Sequence, residues 1–159
     1  MNNAATKQPI SVLVLIHTAN LDVLLLQRIG SAGLWQSVTG SREGHENLSD
    51  TALREVAEET GIHAAPDALI DWHITNRFEI LPHWRGRYGA GITYNTEHLF
   101  SLCLPERLPV RLAADEHVAA CWLPWQDAAA RVFSWTNRDA IRLLARRFSP
   151  AEELPRSSS

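Results

Sequence analysis

The chain is poor in sulfur, with two cysteines and one methionine among 159 residues. Cys103 and Cys121 have neither metal-ligand spacing nor the numbers for a disulfide framework, and both sit in apolar, strand-like runs. They are expected to be buried, reduced thiols. Positive charge is also scarce: 15 Lys and Arg stand against 18 Asp and Glu, a formal net charge of −3. A general nucleic-acid binder needs a basic face, so nucleic acid is not expected as a partner. No apolar run approaches bilayer-spanning length, and the opening MNNAATKQP lacks the basic-then-apolar order of a signal peptide. No membrane partner and a cytoplasmic location follow, and nothing in the chain requires an obligate protein partner. Internal repeats are absent. The glycines of HWRGRYGAG, His83 to Gly91, lack the GxxxxGK order of a phosphate-cradling loop, and this stretch reads as a mobile loop.

What is there is one compact domain, expected over residues 7–148, with residues 1–6 and 149–159 as flexible termini. ISVLVLIH at Ile10–His17 and VLLLQR at Val23–Arg28 are apolar runs around a polar Ala19-Asn20 turn, and predict paired strands. Trp35–Thr39 reads as short and extended. Leu69–Ile80, Glu97–Leu104 and Val118–Leu123 are rich in β-formers. Helical segments are expected near Pro124–Ala130 and Asn137–Phe148, the latter capped by Thr136 or Asn137 and carrying Ala140, Ile141, Leu144 and Phe148 at helical spacing. The fold class is α/β, a mixed sheet between helices.

The segment from Gly40 to Ile62, GSREGHENLSDTALREVAEETGI, carries the chemistry. On a helix Glu55, Glu58 and Glu59 span an arc of about 100°, with Ala52, Leu53, Val56 and Ala57 opposite. Like charges at this spacing each cost a helix roughly 0.2–0.5 kcal/mol, and Arg54, four residues before Glu58, offsets only part. A solvated acidic helix is the usual reading of a charge run. Carboxylates clustered this tightly instead suggest a hard divalent cation, and Mg²⁺ is typically held by one or two carboxylates, waters and substrate phosphates.

The spacing narrows this further. Gly40, five residues, Glu46, seven residues, Arg54-Glu55, Val56, Glu58-Glu59, Gly61 and Ile62 match every fixed position of the Nudix box. The chain resembles a Nudix hydrolase. The resemblance implies an α/β/α sandwich with a mixed sheet and the box as loop, helix and loop. Asn47 or Ser49 is available as its N-cap, and Gly61 suits a left-handed C-terminal position. It further implies Mg²⁺, with Mn²⁺ as a substitute, held by Glu55 and Glu59; Glu58 assists, while Arg54 and Glu46 brace the loop against the helix.

Outside the box, Trp35–Ser41, Arg77–Ile80, Arg87-Tyr88, Asn95-Thr96-Glu97 and Ser134-Trp135, with Lys7-x-Pro9 and Gln27-Arg28, resemble the branch of the family that hydrolyses a pterin triphosphate in bacterial folate synthesis. Carried over position by position, this implies substrate contacts by Lys7, Arg28, Thr39, Phe78, Glu79, Ile80, Leu81 and Ser134, and Glu116 as a third metal ligand. Lys7 and Arg28 can neutralise a triphosphate. Phe78 can stack on a flat pterin, and Glu79 can accept hydrogen bonds from its N–H groups. His117 has no companion histidine at ligand spacing and is left out of the metal set.

The implied reaction is hydrolysis of 7,8-dihydroneopterin 3′-triphosphate to the monophosphate and pyrophosphate, with Glu55, Glu58 and Glu116 as candidate general bases and Glu55, Glu58, Glu59 and Glu116 as the catalytic set. A pyrophosphohydrolase of the nucleotide pool is the alternative within enzymes, because a stacking Phe and a nearby Glu can also hold a purine. A metabolite-sensing, non-catalytic Nudix domain is the alternative from another class.

Overall fold

A computed structural model describes residues 6–30 and 33–148. The flexible ends expected at 1–6 and 149–159 lie outside the described residues except for Thr6. The strands are β1 (Ile10–Thr18), β2 (Asp22–Arg28), β3 (Trp35–Gln36), β4 (Val38–Ser41), β5 (Leu69–Glu79), β6 (Tyr94–Leu104) and β7 (His117–Pro124); the α-helices are α1 (Leu48–Thr60), α2 (Trp125–Arg131) and α3 (Trp135–Phe148). Nearly every expected segment is present.

The sheet is mixed. Its order is β3-β2-β1-β6-β5, with β4 also on β1 and β7 also on β2. β1 runs parallel to β6 from Ile10↔Thr96 to Thr18↔Leu104. Side chains of β1 alternate between two buried faces, which is why it reads as an unbroken apolar run. Val12, Val14 and Ile16 pack with Val56 of α1 and Phe100; Leu13 and Leu15 pack with Ile141 and Leu144 of α3. Helices therefore cover both faces, as an α/β/α sandwich requires.

The registers of β1 and β2 meet at His17↔Val23, after which each strand takes a different partner. β4 lies on β1 through Thr39↔Leu13 and Gly40↔Val12, while β7 lies on β2 and reaches Arg28↔His117 past a bulge. The box helix crosses beneath this divergence. Thr39 and Gly40 stand on one side of it, Arg28 and His117 on the other.

Local expectations need several corrections. Cys103 is exposed and Cys121 half-buried, both free, because Cys103 falls on the outward face near the end of β6. The stretch from His83 is no loose loop at its start: Pro82–Arg87 is a 3-10 helix, and the Lys7 N–H donates to the Arg87 carbonyl at 2.9 Å. α3 begins earlier than expected, at Trp135, with the Ser134 hydroxyl accepting from the Asn137 N–H at 3.3 Å. Thr136 and Asn137 are inside the helix. Among the described residues no helix is long and apolar enough to cross a membrane.

Candidate active site

Asn47 caps α1, its side-chain oxygen accepting the Asp50 N–H at 2.9 Å, and Gly61 ends the helix at φ 73°. The three box glutamates are not equivalent in this setting. Glu55 is 8% exposed and Glu59 2%, whereas Glu58 is exposed. The charged side of the helix is thus turned partly inward, against β4. Two carboxylates are buried there, which makes their surroundings decisive.

Arg54 organises the loop. Its Nε and Nη2 donate to both Glu46 oxygens at 2.9 Å, Nη2 also donates to the Ser41 carbonyl at 3.0 Å, and Nη1 donates to Glu55 at 2.9 Å and Glu58 at 3.3 Å. This bidentate pairing holds the Glu46 carboxyl down at about 2. Glu46 in turn accepts from the Glu43 N–H at 2.8 Å, closing the loop upon itself. The bracing expected of Arg54 and Glu46 is what the geometry provides.

Gly40 makes room for Glu55. A Cβ there would stand 2.0 Å from the Glu55 carboxyl carbon. Burial raises the Glu55 pKa to about 7, despite Arg54, and raises that of Glu59 well above the usual range, with Glu55 and Glu116 adding repulsion. The Thr39 N–H, donating to Glu59 Oε2 at 3.2 Å, compensates only partly. Glu116, exposed in the turn before β7, and His117, buried at its start, bring ligand atoms to this point: among the described residues, atoms of Glu59, Glu116 and His117 lie within 4.8 Å of one another.

The donor set suits a divalent cation. Arg54 offsets the charge of Glu55 only in part, and Glu59 has a single backbone N–H, so a cation would supply the missing counter-charge. Oxygens of Glu59 and Glu116 match a hard ion, and Glu55 lies one turn earlier on the same helix. His117 has no second histidine at ligand spacing, yet its Nε2 stands 3.7 Å from Glu59 and 3.5 Å from the Gln36 amide nitrogen. Desolvation, then Arg28, lowers the His117 pKa. Its contact with Glu59 is therefore no ion pair at neutral pH.

Cations face this acidic group. Arg28 donates to Gln36 at 3.3 Å and lies 4.9 Å from the centre of the Trp84 ring. Lys7 pairs with Tyr88 in an isolated bridge. Crowding lowers the pKa of both, chiefly through desolvation and then through Arg87, while Glu116 pulls the other way in each. Lys7, Arg28 and Arg87 thus repel one another around Glu55, Glu59 and Glu116, an arrangement that a polyphosphate with its metal would neutralise. Arg87 and Trp84 were not assigned roles from sequence. Only the dipeptide Arg87-Tyr88 had signalled that segment.

The remaining expected contacts divide. Ser134 is half-buried at the start of α3, and Thr39 donates its hydroxyl to the Val12 carbonyl at 2.9 Å. Phe78 is half-buried, across from Asn95 on β6. Ile80 is buried at 3% exposure, Leu81 is largely exposed, and Glu79 is exposed with its carboxylate held by Arg85. Glu79 is therefore already paired. Asn137 of α3 fixes the other wall, accepting from the Ser37 N–H at 2.8 Å and donating to the Ser37 hydroxyl at 2.9 Å.

Comparison with known proteins agrees with this construction. A NUDIX domain model matches residues 7–144. The chain is 43% identical over 144 residues to the dihydroneopterin triphosphate diphosphatase of Escherichia coli, covering 89% of this chain and 95% of that protein. It is 39% identical over 137 residues to the same-named protein of Haemophilus influenzae, covering 83% and 84%. The solved structure of the E. coli dihydroneopterin triphosphate pyrophosphohydrolase superposes with a TM-score of 0.84 at 42% identity, over 90% of this chain and 99% of that one. Box spacing, helix burial, sheet order and these likenesses agree: the chain belongs to the Nudix hydrolase family.

Proposed function

We propose that this protein hydrolyses 7,8-dihydroneopterin 3′-triphosphate to the 3′-monophosphate and pyrophosphate, with Mg²⁺ as its working ion and Mn²⁺ as a substitute. The observation that carries the reading is the near full-length likeness to a diphosphatase of that substrate, 43% identical across 95% of its length. The site is consistent with it. Glu59 and Glu116, with Glu55, would hold the cation, which when bound draws charge from the phosphoryl oxygens and acidifies an attacking water.

The chain's own residues supply the rest. Lys7, Arg28 and Arg87 draw in the triphosphate and spread its charge. The water oxygen bonds to phosphorus, the anhydride bridge between the α- and β-phosphoryl groups breaks, and pyrophosphate leaves. The water proton passes to a carboxylate, for which Glu55, Glu58 and Glu116 are the candidates. Arg54 positions two of these, Glu55 at 2.9 Å and Glu58 at 3.3 Å. Gly40 leaves space for the first.

Product analysis tests the reaction. Purified enzyme with the pterin triphosphate and Mg²⁺ should release pyrophosphate and monophosphate in equal amounts. Release of orthophosphate as the first product would place the cleavage at the terminal phosphate and overturn the reading.

A further inference from the structure

Two buried oxygens on β6 are unexplained by folding. Among the described residues Glu97 Oε1 and Asn95 Oδ1 have no hydrogen-bond partner, and both are buried, in residues exposed by only 6% and 3%. An unpartnered buried polar group costs roughly 1–3 kcal/mol, and the great majority of such groups in folded proteins are paired. Both atoms are acceptors. Neither pairing across the sheet nor the core nearby uses them, so a bound molecule with two N–H donors would satisfy them.

Their place in the fold supports this. Asn95 and Glu97 are two residues apart on one strand and face the same side. Asn95 Nδ2 donates to the Ser11 hydroxyl at 2.7 Å, which leaves the amide oxygen free. Glu97 pairs with Ser11 in the parallel register, and Thr136 at the start of α3 stands near enough to favour its ionised form. The Thr136 hydroxyl is also 2.8 Å from that of Ser134. Glu97, Thr136 and Ser134 thus gather on one polar patch, and Phe78 stands beside Asn95 on the neighbouring strand. Glu79, the residue expected to read the heterocycle, is committed to Arg85.

We propose that Glu97 and Asn95 are the specificity-determining acceptors for the flat heterocycle, taking the ring N–H and exocyclic amino group of a 2-amino-4-oxopyrimidine edge. The inference rests on the pterin triphosphate reading above and names the residues that enforce it. Adenine offers an amino group but no ring N–H beside it, and leaves one buried acceptor unmet. A site built to hydrogen-bond its ligand rejects analogues lacking the donors by far more than a purely apolar pocket does.

The test compares wild type with Glu97→Gln. Steady-state kcat/KM is measured for the pterin triphosphate and for dATP, and calorimetry measures binding of 7,8-dihydroneopterin, which carries no phosphate. Glu97→Gln should reduce the pterin-over-dATP preference at least about 100-fold, mainly through KM, and should abolish detectable dihydroneopterin binding. A Glu97→Gln enzyme that folds, shown by its Tm, and keeps both preference and binding overturns the inference while leaving the substrate reading intact. If wild type itself shows no pterin preference, the substrate reading fails; the acceptor pair is then judged on dGTP, which presents the same donors. Should Glu97→Gln not fold, Asn95→Ala supplies the same comparison, with a retained preference again counting against the proposal.

Discussion

Replacing Gly40 by alanine tests how the site is built, because it moves one side chain and leaves the backbone alone. The new Cβ would stand 2.0 Å from the Glu55 carboxyl carbon and 2.1 Å and 2.5 Å from its oxygens. Ordinary carbon–carbon contact is about 3.5–4.0 Å, so the carboxylate must retreat by roughly 1.5 Å or more. It is the far end of a flexible side chain and can do so, losing its 2.9 Å hydrogen bond from Arg54. The cost to folding should be modest: about 1–3 kcal/mol for overpacking, offset by about 0.4–1 kcal/mol from the stiffer unfolded chain. For a chain of this size that is a Tm fall of at most about 10 °C. The cost to function should be larger, since a misplacement of about 1 Å can reduce turnover about 100-fold. The assay is kcat/KM for pyrophosphate release across a Mg²⁺ titration, beside a thermal melt. Glu55→Gln and the double variant complete a cycle in which the second change adds little once the first is made. A folded Gly40→Ala enzyme with wild-type kcat/KM at ordinary Mg²⁺ would refute the reasoning, because Glu55 would then not need the place it occupies.

Other perturbations probe other parts. Glu59→Gln should abolish turnover while preserving the fold, measured as kcat at saturating Mg²⁺ together with circular dichroism; near-wild-type activity would sink the metal assignment. Trp84→Ala should raise KM with a smaller effect on kcat, since the ring lies against Arg28 at 4.9 Å and Phe133 at 6.1 Å, and Trp84→Phe should recover most of the loss. His17 is buried, its Nε2 without a partner among the described residues, and desolvation lowers its pKa below the ordinary 6.5. The unfolded chain therefore takes the proton first, so its stabilising contribution is present above pH 6.5 and is lost as pH falls below it. Because Glu55 and Glu97, both raised to about 7, act in the opposite direction, the effect is read as the Tm difference from His17→Leu between pH 7.5 and about 5. A difference that does not change with pH contradicts it.

The sequence carried the strands and helices because their patterns were local. β1 is apolar on both sides, and α1 has both its cap and its terminating glycine in view. The arrangement around the glutamates was less legible. Helical spacing placed Glu55, Glu58 and Glu59 on one arc, but only the approach of β4 at Gly40 decides that Glu55 and Glu59 are buried and Glu58 is not. Long-range placement hid the rest. Asn137 meets Ser37 a hundred residues away, and Glu97 meets Thr136 across the same face. His117 looked isolated because its neighbours, Gln36 and Glu59, belong to other elements. Exposure of Cys103 went the other way: a strand's apolar run concealed one residue turned outward.

The most direct measurement is kcat/KM for 7,8-dihydroneopterin triphosphate against dATP and dGTP under Mg²⁺, with pyrophosphate and orthophosphate quantified separately. A large preference for the pterin is expected, with pyrophosphate as the released product, and dGTP ahead of dATP. Equal or better turnover of the nucleotides would contradict it and reassign the site to control of the nucleotide pool.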